Sequence, residues 1–225
     1  MPGTAMAPRN PRASWFGATP VTAIYLVIGF LIGVVGAWII GIFTFGPAEH
    51  FVLKYFDRPI LDFIRERRVD LLTDVMKFFS FLGGNLVFII AGVALAAWSY
   101  WKTRDPLWPV FVAITVVAAL FFDKIVKELV TRPRPRGHLV EATGFSFPSG
   151  HSLNAAVMAR MFGYFLTNRR GRMETLWVWR GLGLVAFLIA FSRVYLSVHW
   201  PLDIIGGLAL GAFWVSVSLA AFRPR

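Results

Sequence analysis

From Val21 to Phe45 the chain carries no charged residue. A hydrocarbon slab about 30 Å thick takes roughly twenty helical residues to cross. Inside it only helices or closed barrels satisfy their own backbone hydrogen bonds. Further apolar stretches of similar length follow at about Phe79 to Trp101, Leu107 to Val130, Ser149 to Thr167, Trp177 to Tyr195 and Pro201 to Phe222. The expected fold is all-α: a polytopic membrane protein of six transmembrane helices, with residues 1–225 forming a single membrane-embedded domain. The first run is too long for a signal-peptide core and lacks a cleavage site, so it reads as a retained span.

Hydrophobic residues make up 57% of the chain, which argues against a soluble globule. Lys and Arg number 23 against 12 Asp and Glu, a net charge of +11, so an anionic partner is expected. Lipid headgroups or phosphate fit a chain this apolar; nucleic acid does not. The absence of cysteine removes disulfides, thiolate metal sites and cysteine nucleophiles.

Residues 48–68 are mixed in character. Phe56, Ile60, Phe63 and Ile64 recur at helical spacing beside Lys54, Arg58, Arg65, Arg67 and Arg68, the pattern of an amphipathic helix lying in the membrane interface. A solvated connecting loop is the alternative. Asp57 is positioned to cap such a helix, with Pro59 tolerated in its first turn. Basic residues in short loops argue orientation. A cytoplasmic N-terminus puts Arg9, Arg12, Lys102, Arg104, Arg169, Arg170, Arg172, Arg180, Arg223 and Arg225 on one side, against the basic residues of 48–68 and a cluster around Arg134 on the other. The count is nearly even, and it favours a cytoplasmic N-terminus only if the Arg134 cluster is committed to a ligand.

Charged and polar residues near span ends are the candidates for chemistry, because an idle charge there is costly. Lys127 closes the third span, and Arg134 follows after six intervening residues beside Pro133 and Pro135, which forbid a continuing helix. The two cations could converge on an anion or simply snorkel to the interface. Pro148, Ser149, Gly150 and His151 immediately precede the fourth span. Ser149 is a plausible N-cap, and a helix N-terminus offers unpaired N–H donors to an anion. His151 then stands ready to donate a proton, or merely faces water. Ser192 and Arg193 precede His199, and Asp203 lies four residues further on. A carboxylate at that spacing fixes the imidazole tautomer and frees the other nitrogen to attack, unless the pair only satisfies itself. In the six-span arrangement all three segments fall on one side of the membrane.

These three strings resemble the signature motifs of the type 2 phosphatidic acid phosphatase (PAP2) superfamily, with every fixed position matched in order between Lys127 and Asp203. The resemblance implies a PAP2/haloperoxidase-like helical bundle. It implies that His199 attacks phosphorus to give a phosphohistidine, that Asp203 orients it, and that His151 protonates the leaving group. Lys127, Arg134, Ser149, Gly150 and Arg193 would bind the phosphate oxygens. No metal and no cofactor is implied. The substrate would be a lipid phosphate or diphosphate, polyprenyl (undecaprenyl) diphosphate ahead of phosphatidic acid or phosphatidylglycerophosphate. The site would face the outer side of the cell membrane.

A lipid phosphotransferase would use the same residues, and a soluble haloperoxidase relative is disfavoured by the spans. An anion or lipid transporter needs the cations but not a correctly spaced nucleophile and acid. A metal enzyme would use His151, His199 and Asp203 as ligands, against the repulsion of neighbouring cations. Arg160, about two and a half turns into the fourth span, either snorkels or pairs within the bundle. Asp123, Lys124 and Glu128 could pair near the site.

Overall fold

The computed structural model describes residues 20–167 and 171–222. Arg9, Arg12, Arg169, Arg170, Arg223 and Arg225, used above for orientation, lie outside the described residues. The chain folds as α1 (Pro20–Phe45), α2 (Glu49–Val52), a π-helical turn (Leu53–Asp57), α3 (Arg58–Glu66), α4 (Asp70–Leu82), α5 (Asn85–Thr103), α6 (Leu107–Val130), α7 (Gly150–Thr167), α8 (Arg172–Tyr195) and α9 (Pro201–Ala221). Among the described residues there is no strand, so the all-helical expectation holds.

Five of these helices, α1, α5, α6, α8 and α9, are long and apolar enough to cross a membrane. α7 is the sixth long helix and is more polar, carrying Ser152, Asn154 and Arg160. It tolerates them because it is the central element, packed against α9 and α8 and also against α5 and α6. Ser152 and Asn154 are buried by that sheath instead of facing lipid. Arg160 pairs within the bundle: its Nη2 donates to Ser216 Oγ of α9 at 3.0 Å.

Small residues set how closely α9 approaches α7. A Cβ on Gly207 would lie 2.4 Å from the Ser149 carbonyl oxygen, and one on Gly211 would lie 2.6 Å from that of Leu153. This small-xxx-small spacing lets two backbones meet. It brings the start of α9 beside the start of α7, where the Ser149 N–H donates to the Asp203 carbonyl at 3.0 Å.

Two span boundaries differ from the sequence reading. Phe79 to Leu82 belong to α4, not to the second span, because Gly83 and Gly84 interrupt the helix before α5 begins at Asn85. The break has a packing reason, since a Cβ on Gly83 would sit 3.0 Å from the Cβ of His151. The fifth expected span, α8, starts at Arg172 and not at Trp177, the charged Arg172 and Glu174 forming its exposed first turn.

Within residues 48–68 the chain is helical from Glu49 to Glu66 and turns Asp57 and Leu61 inward. Phe51, Tyr55, Phe56, Ile60 and Phe63 are exposed, whereas Asp57 and Leu61 are buried. Ile64 departs from the expected apolar stripe and packs inward near Met76 and Tyr195. Asp57 does not cap α3: it closes the π turn and makes no side-chain bond to the α3 N-terminus. Its Oδ1 instead accepts the Leu202 N–H at 3.0 Å, so it caps the first turn of α9.

Candidate active site

The site lies at one end of the bundle, where α6 stops, α7 starts, α8 stops and α9 starts. α6 ends because Thr131 turns to a left-handed conformation (φ 52°), which fits the two prolines that follow. Lys127 therefore stays on the last turn of α6 while Arg134 stands on the loop, as their spacing suggests.

Arg134 is fixed by carbonyls. Its Nε donates to Gly144 O (3.0 Å), Nη2 to Thr143 O (2.9 Å) and Nη1 to Val198 O (2.8 Å). Gly144 presents its carbonyl from a left-handed backbone (φ 70°), a geometry in which glycine carries no steric cost. Nη1 also donates to His199 Nε2 at 3.1 Å. A guanidinium has no lone pair to offer, so Nε2 is the accepting, unprotonated nitrogen and the ring proton sits on Nδ1. That proton points to Asp203, whose Oδ2 is 3.5 Å from Nδ1.

The loop holding His199 is tightly bound. The N–H groups of Val198 and His199 both donate to the Arg193 carbonyl, at 3.0 and 3.2 Å. Ser197, at φ 56°, takes its side chain out to Arg65, whose Nε donates to Ser197 Oγ at 2.9 Å, and to Arg68. Burial pushes the His199 imidazole down to about 4; Arg134 and Arg193 push the same way, and the Asp203 carboxylate opposes them. Burial likewise lowers Arg134 from its ordinary value, although a guanidinium stays charged.

Ser149 caps α7 as expected, its Oγ accepting from the Ser152 N–H at 3.4 Å and from Ser152 Oγ at 3.0 Å. Gly150 opens the helix, and a Cβ there would lie 2.8 Å from Asp123 Oδ1. His151 lies within electrostatic range of Arg193, His199, Lys127 and Arg134. Arg193 is buried and hydrogen-bonded through Nη1 to Ser80 of α4. Lys127 Nζ pairs with Asp123 at 2.7 Å, which answers where Asp123 goes.

Three residues that the sequence reading did not single out for the site stand behind Asp203. Arg132 bridges two carboxylates, its Nη1 on Asp203 Oδ1 at 2.5 Å and its Nη2 on Asp57. Ser146 donates from Oγ to the other Asp203 oxygen, which also accepts the Trp200 N–H at 2.8 Å. Arg132 lies between the rings of Phe45 (3.8 Å to the centroid) and Trp200 (5.5 Å). Asp57, Arg132, Ser146 and Asp203 are all buried. Arg132 carried a faint signal, a charge between Lys127 and Arg134; Asp57 and Ser146 carried none. Among the described residues no three His, Cys, Asp or Glu side chains gather as a metal site.

The PAP2 superfamily model matches residues 106–225. The chain is 36% identical over 145 residues to phosphatidylglycerophosphatase B of Bacillus subtilis, covering 62% of this chain and 70% of the relative. It is 31% identical over 169 residues to an undecaprenyl-diphosphatase of Sulfolobus acidocaldarius, covering 72% and 75%. The fold resembles the crystal structure of a transmembrane PAP2 type phosphatidylglycerolphosphate phosphatase from Bacillus subtilis, with a TM-score of 0.71 and 26% identity over 89% of this chain and 95% of that one.

Proposed function

Because the chain belongs to the PAP2 superfamily of membrane lipid phosphatases, we propose that it cleaves phosphate from a lipid phosphate or diphosphate by way of a phosphohistidine on His199. The observation that carries this reading is the Arg134 hydrogen bond to His199 Nε2, which leaves that nitrogen with a lone pair and Nδ1 with the proton.

Nε2 attacks phosphorus once Arg134 turns to a phosphate oxygen. An N–P bond forms as the P–O bond to the lipid breaks, and protonated His151 gives its proton to the departing oxygen. Water then attacks the phosphohistidine, His151 takes the proton from that water, and the N–P bond breaks to release phosphate. Splitting the reaction through a covalent intermediate lowers each barrier. Lys127, Arg134, Arg193, Ser149 and the Gly150 N–H hold the equatorial oxygens. Stabilising that charge is most of what phosphoryl transfer asks of a protein. Three cations supply it here, so the reaction runs without a metal.

Polyprenyl diphosphate is the favoured substrate, with phosphatidylglycerophosphate or phosphatidic acid second; relatives are named for each of the first two. The N-terminus is cytoplasmic, the site faces the outer side of the cell membrane, and residues 48–68 lie in that interface with their exposed aromatic face toward lipid. The test is rapid acid-free quenching with ³²P-labelled substrate followed by mass spectrometry. Label on His199, lost in His199→Asn together with turnover, is expected. Full turnover in His199→Asn would remove the nucleophile.

A further inference from the structure

On the reading that His151 serves the leaving oxygen, we infer that the lipid chain of the substrate lies in the groove between α5 and α8, along the outer face of α7. In-line displacement puts the attacking nitrogen and the leaving oxygen on opposite sides of phosphorus. His199 approaches from the α8–α9 loop, so the oxygen that carries the lipid departs on the His151 side. His151 packs on Gly83 at the α4–α5 turn. One turn further along α7, a groove of about 210 Å³ opens.

Its walls are Phe88 and Ala91 of α5, Ala159 and Phe162 of α7, and Val185 and Ile189 of α8. Asn154 stands at its head. The Asn154 amide donates to Gly83 O at 3.1 Å and to Asn85 Oδ1 at 3.0 Å, so its donors are engaged by the turn and the lining is almost wholly hydrocarbon. From Asn154 to Phe162 the groove follows α7 for about 12 Å at a rise of 1.5 Å per residue. Its direction is that of the bundle, from the site toward the other end of the helices, as a chain anchored in one leaflet requires.

A larger groove of about 480 Å³ runs between α1 and α9 and is a poorer route. It begins at Phe45, Phe147 and Leu202, and Phe45 backs onto the Arg132 guanidinium that holds Asp203. A chain there would leave from behind the nucleophile.

An alkyl phosphonate with a photoactivatable diazirine midway along its chain, irradiated with the full-length protein in detergent, tests the assignment directly. Adducts are expected within residues 87–91, 155–162 and 182–189. Adducts confined to 32–45 and 205–213, or no adducts, overturn it. Ala159→Phe fills the groove and should lower kcat/KM for a long-chain lipid phosphate at least tenfold relative to a short water-soluble alkyl phosphate, since each buried methylene is worth about fourfold. Gly36→Phe fills the other groove, where an added Cβ meets nothing within 4 Å, and should leave that ratio where it stands. The reverse pattern, or an unchanged ratio in both, overturns the assignment. The reading of the site is judged separately: turnover of the short substrate by His199→Asn would remove that reading, whereas inactive His199→Asn with misplaced adducts removes the groove alone.

Discussion

Arg132 and Asp203 form an ion pair closed to water, with Nη1 2.5 Å from Oδ1 and side chains 1% and 0% exposed. The other end of the same guanidinium holds Asp57 from the segment before α4. Asp57 also caps α9 through the Leu202 N–H. The carboxylate that faces His199 is thus fixed by a residue more than a hundred positions earlier in the chain.

Asp57→Asn should therefore harm the chemistry without touching substrate. Asn weakens a charge-assisted hydrogen bond to Arg132, an interaction worth about 1.5–3 kcal/mol, while Asp203 still balances the guanidinium. A lower midpoint of thermal unfolding in detergent is expected. So is a fall in kcat of roughly tenfold, the scale on which groups behind a functional ligand are felt, with KM little changed. Adding Arg132→Met leaves the buried Asp203 without its ion partner, so it should lower the midpoint further and restore none of the rate. Recovery of both would reduce Asp57 and Arg132 to structural roles.

The span pattern, the three motifs and their arrival at one end of the bundle were legible in the sequence because each rests on local rules: apolar run length, a proline stop after Lys127, a serine cap before His151. Asp57 was not legible, since its helical position suggested a local cap while tertiary packing sent its carboxylate to α9. Gly83 was hidden for a similar reason. An apolar run passes over a glycine pair, and only the approach of Ile189 and His151 shows why a side chain has no room at Gly83. Which carbonyls would hold Arg134 depended on a loop that has no periodicity to read.

The pH dependence of kcat/KM should report His199 in the free enzyme. Burial with Arg134 and Arg193 holds this imidazole at about 4 instead of its ordinary 6.5. A nucleophile must be unprotonated, so activity is retained as pH falls through 6 and is lost only as it falls through about 4. Asp203 is the group that raises His199, so Asp203→Asn should move this acid limb lower still. It should also reduce kcat by as much as about 10⁴ through loss of the tautomer. An acid limb near 6.5 in the wild type would show that the imidazole is hydrated and not held in a dry site.

Chelation separates the cation-based reading from a metal-based one. Purified protein dialysed against EDTA should keep its phosphatase rate, because Lys127, Arg134 and Arg193 supply the charge that balances the phosphate. Added Mg²⁺ or Mn²⁺ should not raise it. Loss on dialysis that a divalent ion restores would assign the charge to a metal.

Asp123 would oppose the phosphate that the site is proposed to hold. Its Oδ2 takes Lys127 Nζ at 2.7 Å, while Oδ1 is buried without a partner and lies beside Gly150 at the start of α7. One carboxylate therefore both occupies a cation proposed to bind phosphate and sets a negative charge next to the N–H donors proposed to receive it. Asn at this position keeps the shape and can still accept from Lys127, so the substitution isolates the charge. In Asp123→Asn, competitive inhibition by inorganic phosphate should tighten by about tenfold, equivalent to about 1.4 kcal/mol. Turnover should fall where release of phosphate limits it. A weaker inhibition constant would instead mean that the charge of Asp123 serves mainly to hold Lys127 in place.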